Sequence, residues 1–137
     1  MMVAYDECIV FNLAKAYQTA YGKLAALLKP LGLTPIQTLV LDAIAEGDGP
    51  SASEIGKRLV LDNATISGVL DRLADGGWIV KQTDERDRRA LRIFPSDKAL
   101  ELCAQVIAAR DQANDQILAE LNVEEKVLLK RLLRDIR

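Results

Sequence analysis

The residues best equipped for chemistry sit in one hexapeptide, Asp84-Glu85-Arg86-Asp87-Arg88-Arg89, with Arg92 close behind. Between Arg86 and Arg92 four arginines stand against one aspartate, the densest positive charge in the chain. A guanidinium is permanently charged, presents a planar fork of N–H donors, and is drawn to the negative potential of a narrow DNA minor groove. A second set, Asn63, Ala64, Thr65, Ser67, Gly68, Asp71 and Arg72, places mostly small hydrogen-bonding side chains on the outer face of a helix. Short polar groups at that spacing can enter a major groove and reach base edges, where bulky ones would block approach. Each set has a plainer reading alone, a solvated loop for the first and a solvated helix face for the second. Their succession in the sequence favours nucleic acid.

The remaining inventory removes other chemistries. There is no histidine, no Gly-rich phosphate loop and no G-x-S-x-G elbow, and the carboxylates are interleaved with basic residues along helical patterns. The chain therefore reads as a non-enzyme that needs neither cofactor nor metal. Cys8 and Cys103 lie too far apart for a metal knuckle and are too few for a disulfide scaffold, so both are expected to be reduced. A net charge of -2 counts mildly against a polyanionic partner, which leaves the local concentration at 86–92 to decide. No apolar run reaches membrane-spanning length and the first residues carry no secretory signal, so a cytoplasmic protein off the membrane is expected. With 137 residues, half of them hydrophobic and 28% charged, the chain has room for one domain and not for two.

The elements that must hold these residues follow from periodicity and caps. From Tyr5 to about Lys29 the positions Ile9, Val10, Leu13, Ala16, Tyr17, Ala20, Leu24, Leu27 and Leu28 recur at helical spacing, and Pro30 and Gly32 stop the run. Thr34-Pro35 offers an N-cap followed by proline at the first helical position, opening a helix through Ile36, Leu39, Val40, Ala43 and Ile44 that ends at Gly47. Ser51 and Glu54 form a capping box for a helix with Ile55, Leu59 and Val60 on its buried side. Leu61-Asp62 interrupts, and Asp62 caps a new helix with the stripe Ile66, Val69, Leu70 and Leu73, stopped by Gly76-Gly77. Two short helices joined by a tight turn predict a helix-turn-helix. Trp78–Thr83 and Ala90–Phe94 have strand composition, with Trp78, Val80, Leu91 and Ile93 as inward candidates and the hexapeptide at the hairpin tip.

After Ser96, Ala99, Leu102, Cys103, Val106, Ile107, Ala113, Ile117, Leu118 and Leu121 mark a long helix, and Val127, Leu128, Leu132, Leu133 and Ile136 a final one. The predicted fold is mainly α with a small β-hairpin wing. Residues 33–96 form the winged helix-turn-helix, and 1–32 with 97–137 form a helical dimerisation region within one domain. The terminal helices carry more apolar length than one winged unit can cover, which predicts a homodimer joined by an intersubunit bundle. Two-fold symmetry would set the recognition helices about one DNA turn, roughly 34 Å, apart. The alternative is a monomer whose terminal helices fold back on themselves.

With these segments in place the chain resembles the MarR family of bacterial transcriptional regulators. The resemblance runs from the first helix through Gly-Leu-Thr-Pro-Ile-Gln at 32–37 to the C-terminal helices, and its most specific part is the Asp-x-Arg-Asp-x-Arg wing directly after Leu73-Ala74-Asp75-Gly76-Gly77-Trp78-Ile79. It implies a sequence-specific double-stranded DNA-binding regulator, a repressor released from a pseudo-palindromic operator by a small-molecule effector. Counted back from Ser96, which stands where the family usually has a capping threonine, Arg89 matches the tip arginine of the minor groove, with Arg86 and Arg88 beside it. Asp84 and Arg86 match the pair that braces the wing. Asp62, Asn63, Thr65 and Ser67 match base-reading positions and Arg72 a phosphate contact. Gly68 departs from the longer polar or basic side chain of many members.

The resemblance also implies an effector site in the crevice between the helical and winged regions, for a small aromatic or carboxylate compound, with Tyr17 and Tyr21 as pocket candidates. One branch of the family senses organic hydroperoxides through a cysteine of the first helix, which makes peroxide sensing through Cys8 an alternative. Against it, Asp6 and Glu7 stand directly before Cys8, Val10 occupies the branch's reactive position when Gly32-Leu33-Thr34 is aligned, and Pro35 replaces the tyrosine that would hydrogen-bond the thiolate. A winged module that docks protein is the other alternative, and four wing arginines speak against it.

Overall fold

The described residues are 4–137 of a computed structural model, so Met1 to Val3, on which the reading of the N-terminus partly falls, lie outside them. A single 3-10 turn, Tyr5–Glu7, precedes helix α1, Ile9–Leu28, and a second turn, Lys29–Leu31, follows it and ends at left-handed Gly32 (φ 73°). The periodicity predicted one helix from Tyr5, and the structure breaks it at Cys8, whose backbone is extended. The break lets the N-terminal turn fold back on α1: the Tyr5 ring meets Phe11 edge-on at 5.0 Å, and the Asn12 amide donates to the Asp6 carbonyl at 2.8 Å.

Helix α2, Pro35–Glu46, opens on Thr34, whose hydroxyl accepts from the Gln37 N–H while the Gln37 side chain accepts from the Thr34 N–H. Helix α3, Ala52–Leu59, opens on the same reciprocal arrangement between Ser51 and Glu54. Helix α4, Asn63–Asp75, opens on Asp62. Each cap satisfies backbone N–H groups that have no partner within the helix, which is why these three starts were readable.

The turn between α3 and α4 is tight. The Leu61 N–H reaches the Gly56 carbonyl at 2.8 Å, and a Cβ on buried Gly56 would stand 3.1 Å from the Leu61 carbonyl oxygen. Val60 closes the turn in the left-handed region (φ 56°).

Strands β1, Ile79–Thr83, and β2, Leu91–Pro95, pair antiparallel with Ile79 opposite Pro95 and Thr83 opposite Leu91. Helix α5, Asp97–Ile117, is capped by Ser96, and helix α6, Val123–Ile136, by Asn122 in a third reciprocal box with Glu125.

The core joins these elements. Leu28, Val40, Ile44, Ile55, Ile66, Leu73 and Ile93 are each at most 1% exposed and come from α1, α2, α3, α4 and β2. Trp78 and Val106 extend the same cluster to the strand entry and to α5. By contrast Ile9, Val10, Leu13 and Tyr17 on α1 and Val127, Leu128, Leu132, Leu133 and Ile136 on α6 are exposed in the single chain, and α6 buries none of its residues. No single described helix is long and apolar enough to cross a membrane.

Three side chains expected inside lie outside. Val60 is 89% exposed because the left-handed turn swings it away from the stripe of Ile55 and Leu59. Val80 is 43% exposed, and Ile79 takes its place in the core. The chain turns at Gly77 (φ 76°) and the Trp78 N–H is held by the Leu73 carbonyl at 2.9 Å, so alternation starts at Ile79 and not at Trp78. Leu91 shares the face of Ile93 but sits two residues farther along the wing, over a groove beside Asn63 and Ser67, and is 50% exposed.

A β-branched residue in the left-handed region costs on the order of 1–2 kcal/mol, and the exposed Val60 recovers little of it by burial. Val60→Gly is expected to raise the unfolding free energy by about 1 kcal/mol, read as a higher midpoint in urea with an unchanged slope.

Candidate functional site

The site begins with the cap that orients α4. One carboxylate oxygen of Asp62 accepts from the Thr65 N–H at 2.7 Å and the other from the Thr65 hydroxyl at 3.0 Å. Those bonds, the backbone one first, hold the Asp62 carboxyl below the usual carboxylate range. Ile66, Val69, Leu70 and Leu73 bury one face of the helix, and Asn63, Ala64, Thr65, Ser67, Asp71 and Arg72 are exposed on the rest. At Gly68 no described atom beyond the helix's own backbone and the adjoining residues lies within 4 Å of where a Cβ would stand, so the outer face is unobstructed at its centre. Asp71 is tied to Lys81 of β1 at 3.3 Å.

The far end of α4 is gripped by the start of α5. The Lys98 ammonium donates to the Gly76 carbonyl at 2.7 Å while lying 4.5 Å above the Trp78 ring, and the Ser96 hydroxyl donates to the Gly77 carbonyl at 2.6 Å. A cation on the last carbonyls of a helix satisfies orphan acceptors and complements the helix dipole. Both ends of α4 are thereby fixed and its polar face is presented outward.

The hairpin tip explains the spacing of its sequence. The Asp84 carboxylate accepts from the Arg86 N–H at 2.9 Å, and the Asp87 carboxylate accepts from the Arg89 N–H at 3.0 Å. Asp-x-Arg-Asp-x-Arg is thus two successive turns in which an aspartate holds the backbone two residues on. Asp84 and Arg86 do meet, through the backbone N–H; no ion pair joins their side chains among the described residues. The guanidinium groups of Arg86, Arg88 and Arg89 are exposed and enter no ion pair among the described residues.

Arg92, the fourth arginine of the cluster, does something else. Its guanidinium lies 5.2 Å over the Phe94 ring, donates to the carbonyls of Asp48 and Gly49, and stands 3.6 Å from the Asp48 carboxylate. Gly49 is left-handed (φ 66°), and a Cβ there would fall 2.5 Å from the Phe94 ring and 2.7 Å from Arg92 Nε. The Ile93 N–H completes the junction on the Pro50 carbonyl at 3.1 Å. Arg92 therefore anchors the wing to the loop between α2 and α3. The signal available in the sequence was parity: Arg92 and Phe94 share a strand face, and Asp48-Gly49-Pro50 is a loop that needs a neighbour.

Tyr17 and Tyr21, with ring centroids 5.7 Å apart, line a crevice of about 410 Å³ between α1, α2 and α5. Leu24, Ile36, Leu39 and Ile117 give it apolar walls, and Arg110 and Asp111 are its charged lining residues. Cys8 stands outside this lining, as the N-cap of α1 and not within its first turn, and is exposed.

The model of the MarR family matches residues 31–90, the stretch from α2 to the wing tip. The chain is 34% identical over 83 residues to the transcriptional regulator PecS of Dickeya dadantii, covering 61% of this chain and 50% of PecS. It is 31% identical to a probable transcriptional regulator of Pseudomonas aeruginosa of known structure, over 98% of this chain and 100% of that one, with a TM-score of 0.88. The chain belongs to the MarR family. A MarR variant from E. coli complexed with operator DNA has the same fold, at 22% identity over 98% and 99% of the two chains with a TM-score of 0.88. This MarR-family chain spans about half the length of the curated relatives it matches first.

The lowered acidity range of Asp62 has a sign that can be checked. Its folded value lies below its unfolded one, so the cap's contribution is complete above the unfolded value near 3.9 and is lost as pH falls through the folded one. Asp62→Asn keeps an acceptor without the titration. It is expected to flatten the acid limb of stability against pH relative to the wild type, measured by thermal melts from pH 2 to 7.

Proposed function

We propose that this chain is a sequence-specific double-stranded DNA-binding transcriptional regulator, acting as a cytoplasmic homodimer and as a repressor that a small effector releases. One observation carries the reading: three exposed guanidinium groups with no ion-pair partner among the described residues stand on a hairpin tip beside the open polar face of a helix fixed at both ends. In this reading α4 enters the major groove with Asn63, Thr65 and Ser67 toward base edges and Arg72 toward phosphate, and Arg89 at the wing tip reaches the minor groove. Asp62 acts by orienting Thr65, and Asp84 by shaping the tip.

Residues 33–96 serve as the DNA-reading unit, and 1–32 with 97–137 as the dimerisation region. The exposed apolar faces of α1 and α6 support this division, since a second copy would cover them. The crevice between α1, α2 and α5 is the effector site, its volume within the roughly 300–1,000 Å³ usual for small-molecule pockets. The competing readings have less support. Val10 and Pro35 stand where the peroxide-sensing branch has its cysteine and its tyrosine, and a protein-docking wing has no use for three exposed guanidinium groups.

Two variants separate positioning from reading in a gel shift on the protein's own upstream DNA. Arg89→Ala is expected to weaken operator and random DNA together and to make the salt dependence shallower by about one unit of slope. An unchanged affinity and slope would take the wing off the DNA. Asn63→Ala is expected to cost about 1–3 kcal/mol on the operator and little on random DNA. Equal losses on both would move Asn63 to phosphate positioning.

A further inference from the structure

We propose that Arg92 is a positioning residue for DNA recognition: the bracket it forms with Phe94 and the backbone of Asp48 and Gly49 sets the angle at which the wing stands, and with it the reach of Arg89. The proposal rests on reading α4 and the wing as the DNA interface. A two-stranded hairpin is marginal by itself, so its direction is set by whatever ties it to the body of the protein. Lys81 and Arg92 stand at neighbouring positions of the ladder, Lys81 opposite Ile93 and Arg92 opposite Gln82. Beyond that level the wing stands between two grooves. One, of about 690 Å³, separates Thr83, Asp84 and Ala90 from Ser51 and Glu54 at the start of α3, and the other, of about 390 Å³, separates Leu91 from Asn63 and Ser67 of α4. Among the described residues, the hydrogen bonds of Asp84, Arg86, Asp87, Arg89 and Ala90 join these residues to one another.

Of the two ties, the one at Arg92 fixes direction. Lys81 reaches Asp71 of α4 through a single contact of 3.3 Å, with side-chain exposures of 32% and 67%, and ion pairs this open contribute little. The Arg92 guanidinium donates through Nη2 to the Asp48 carbonyl and through Nε to the Gly49 carbonyl at 3.4 Å, and it lies 5.2 Å over the Phe94 ring. The Asp48 carboxylate, 3.6 Å away, is fully exposed and adds little. Gly49 is buried, so its carbonyl must find a donor within the protein, and Arg92 supplies it. A planar fork bonded to two successive carbonyls and stacked on a ring holds orientation as well as distance. Arg89 lies three residues beyond this bracket, about 10 Å of extended chain. A swing of about 15° at the bracket would carry it by about 3 Å, well outside the few tenths of an ångström over which a hydrogen bond holds.

Two variants disturb the bracket in different ways. Arg92→Ala removes a cation, whereas Gly49→Ala removes no charge: its Cβ would fall 2.5 Å from the Phe94 ring and 2.7 Å from Arg92 Nε, in a left-handed backbone (φ 66°). Binding to the protein's own upstream DNA is measured across a series of salt concentrations, for each variant alone and in an Arg89→Ala background. Alone, each is expected to weaken operator binding about tenfold and to flatten the salt dependence by about one unit of slope, the signature of one cation withdrawn from DNA. In the Arg89→Ala background each is expected to add less than about twofold, because the contact it withdraws is already gone. A mere loss of folded protein would leave the slope intact and would add in full to Arg89→Ala. Phe94→Leu, which removes the ring and no charge, replaces Gly49→Ala where that variant fails to fold, with about a threefold loss expected.

Wild-type affinity and slope for Gly49→Ala beside a flattened slope for Arg92→Ala would make Arg92 a DNA contact in its own right and overturn the positioning role. Wild-type binding by both variants would overturn it too, as would losses that add in full to Arg89→Ala, since the bracket would then act through something other than the tip. If Arg89→Ala itself matches wild type in affinity and slope, the wing does not touch DNA, and the reading beneath the proposal falls with it.

Discussion

The core of this structure is organised around the burial of one helix face. At 13 residues α4 is about the length at which an isolated helix is marginal in water, so it exists as a helix because Ile66, Val69, Leu70 and Leu73 are removed from solvent. Each such side chain contributes about 1.5–3 kcal/mol when fully buried, against the entropy of ordering the segment. The surfaces that receive it come from elsewhere: Val40 and Ile44 from α2, Ile55 from α3 and Ile93 from the wing. Because the inner face carries the stability, the outer face is released from any packing duty. That is how Gly68, a poor helix residue, can sit at the centre of that face.

Local chemistry made most of the fold legible, and distance hid the rest. The caps at Thr34, Ser51, Asp62 and Ser96 act within three residues, so their signals lie side by side in the sequence and all four hold. The stripes of α2 and α4 were legible for the same reason. The failures share a different cause. Val60 continues the apolar pattern of its helix but is turned out by backbone geometry one residue past its end. Trp78 reads as a strand residue because its bulk suits a strand, whereas its N–H belongs to the close of α4. In the candidate site, periodicity could say that Arg92 and Arg110 occupy a strand and a helix, but not that their partners lie 44 and 68 positions away.

The wing shows how a chain with a net charge of -2 can still hold a local anion-seeking surface. Screening in physiological salt confines an exposed charge to about 8 Å, so the potential at the tip is set by neighbours there and not by acidic helices elsewhere. Asp84 and Asp87 lie among the arginines and yet their carboxylates are engaged with backbone N–H groups. They shape the tip and, among the described residues, form no ion pair with the guanidinium groups. Composition alone therefore misreads such a region, since its carboxylates and its cations have separate tasks.

The grip of Lys98 and Ser96 on the end of α4 makes α5 a rigid moment arm. From Lys98 to Arg110 the helix rises about 18 Å, at 1.5 Å per residue. A tilt of about 5° about the far end of that span would carry the Lys98 end sideways by about 1.5 Å and draw on the end of α4 that it holds. Where two such arms diverge from a two-fold axis, their displacements add to about 3 Å against the fixed 34 Å repeat of DNA. In a two-fold dimer a small change of angle along α5 would thus become a misfit in the spacing of two distant helices.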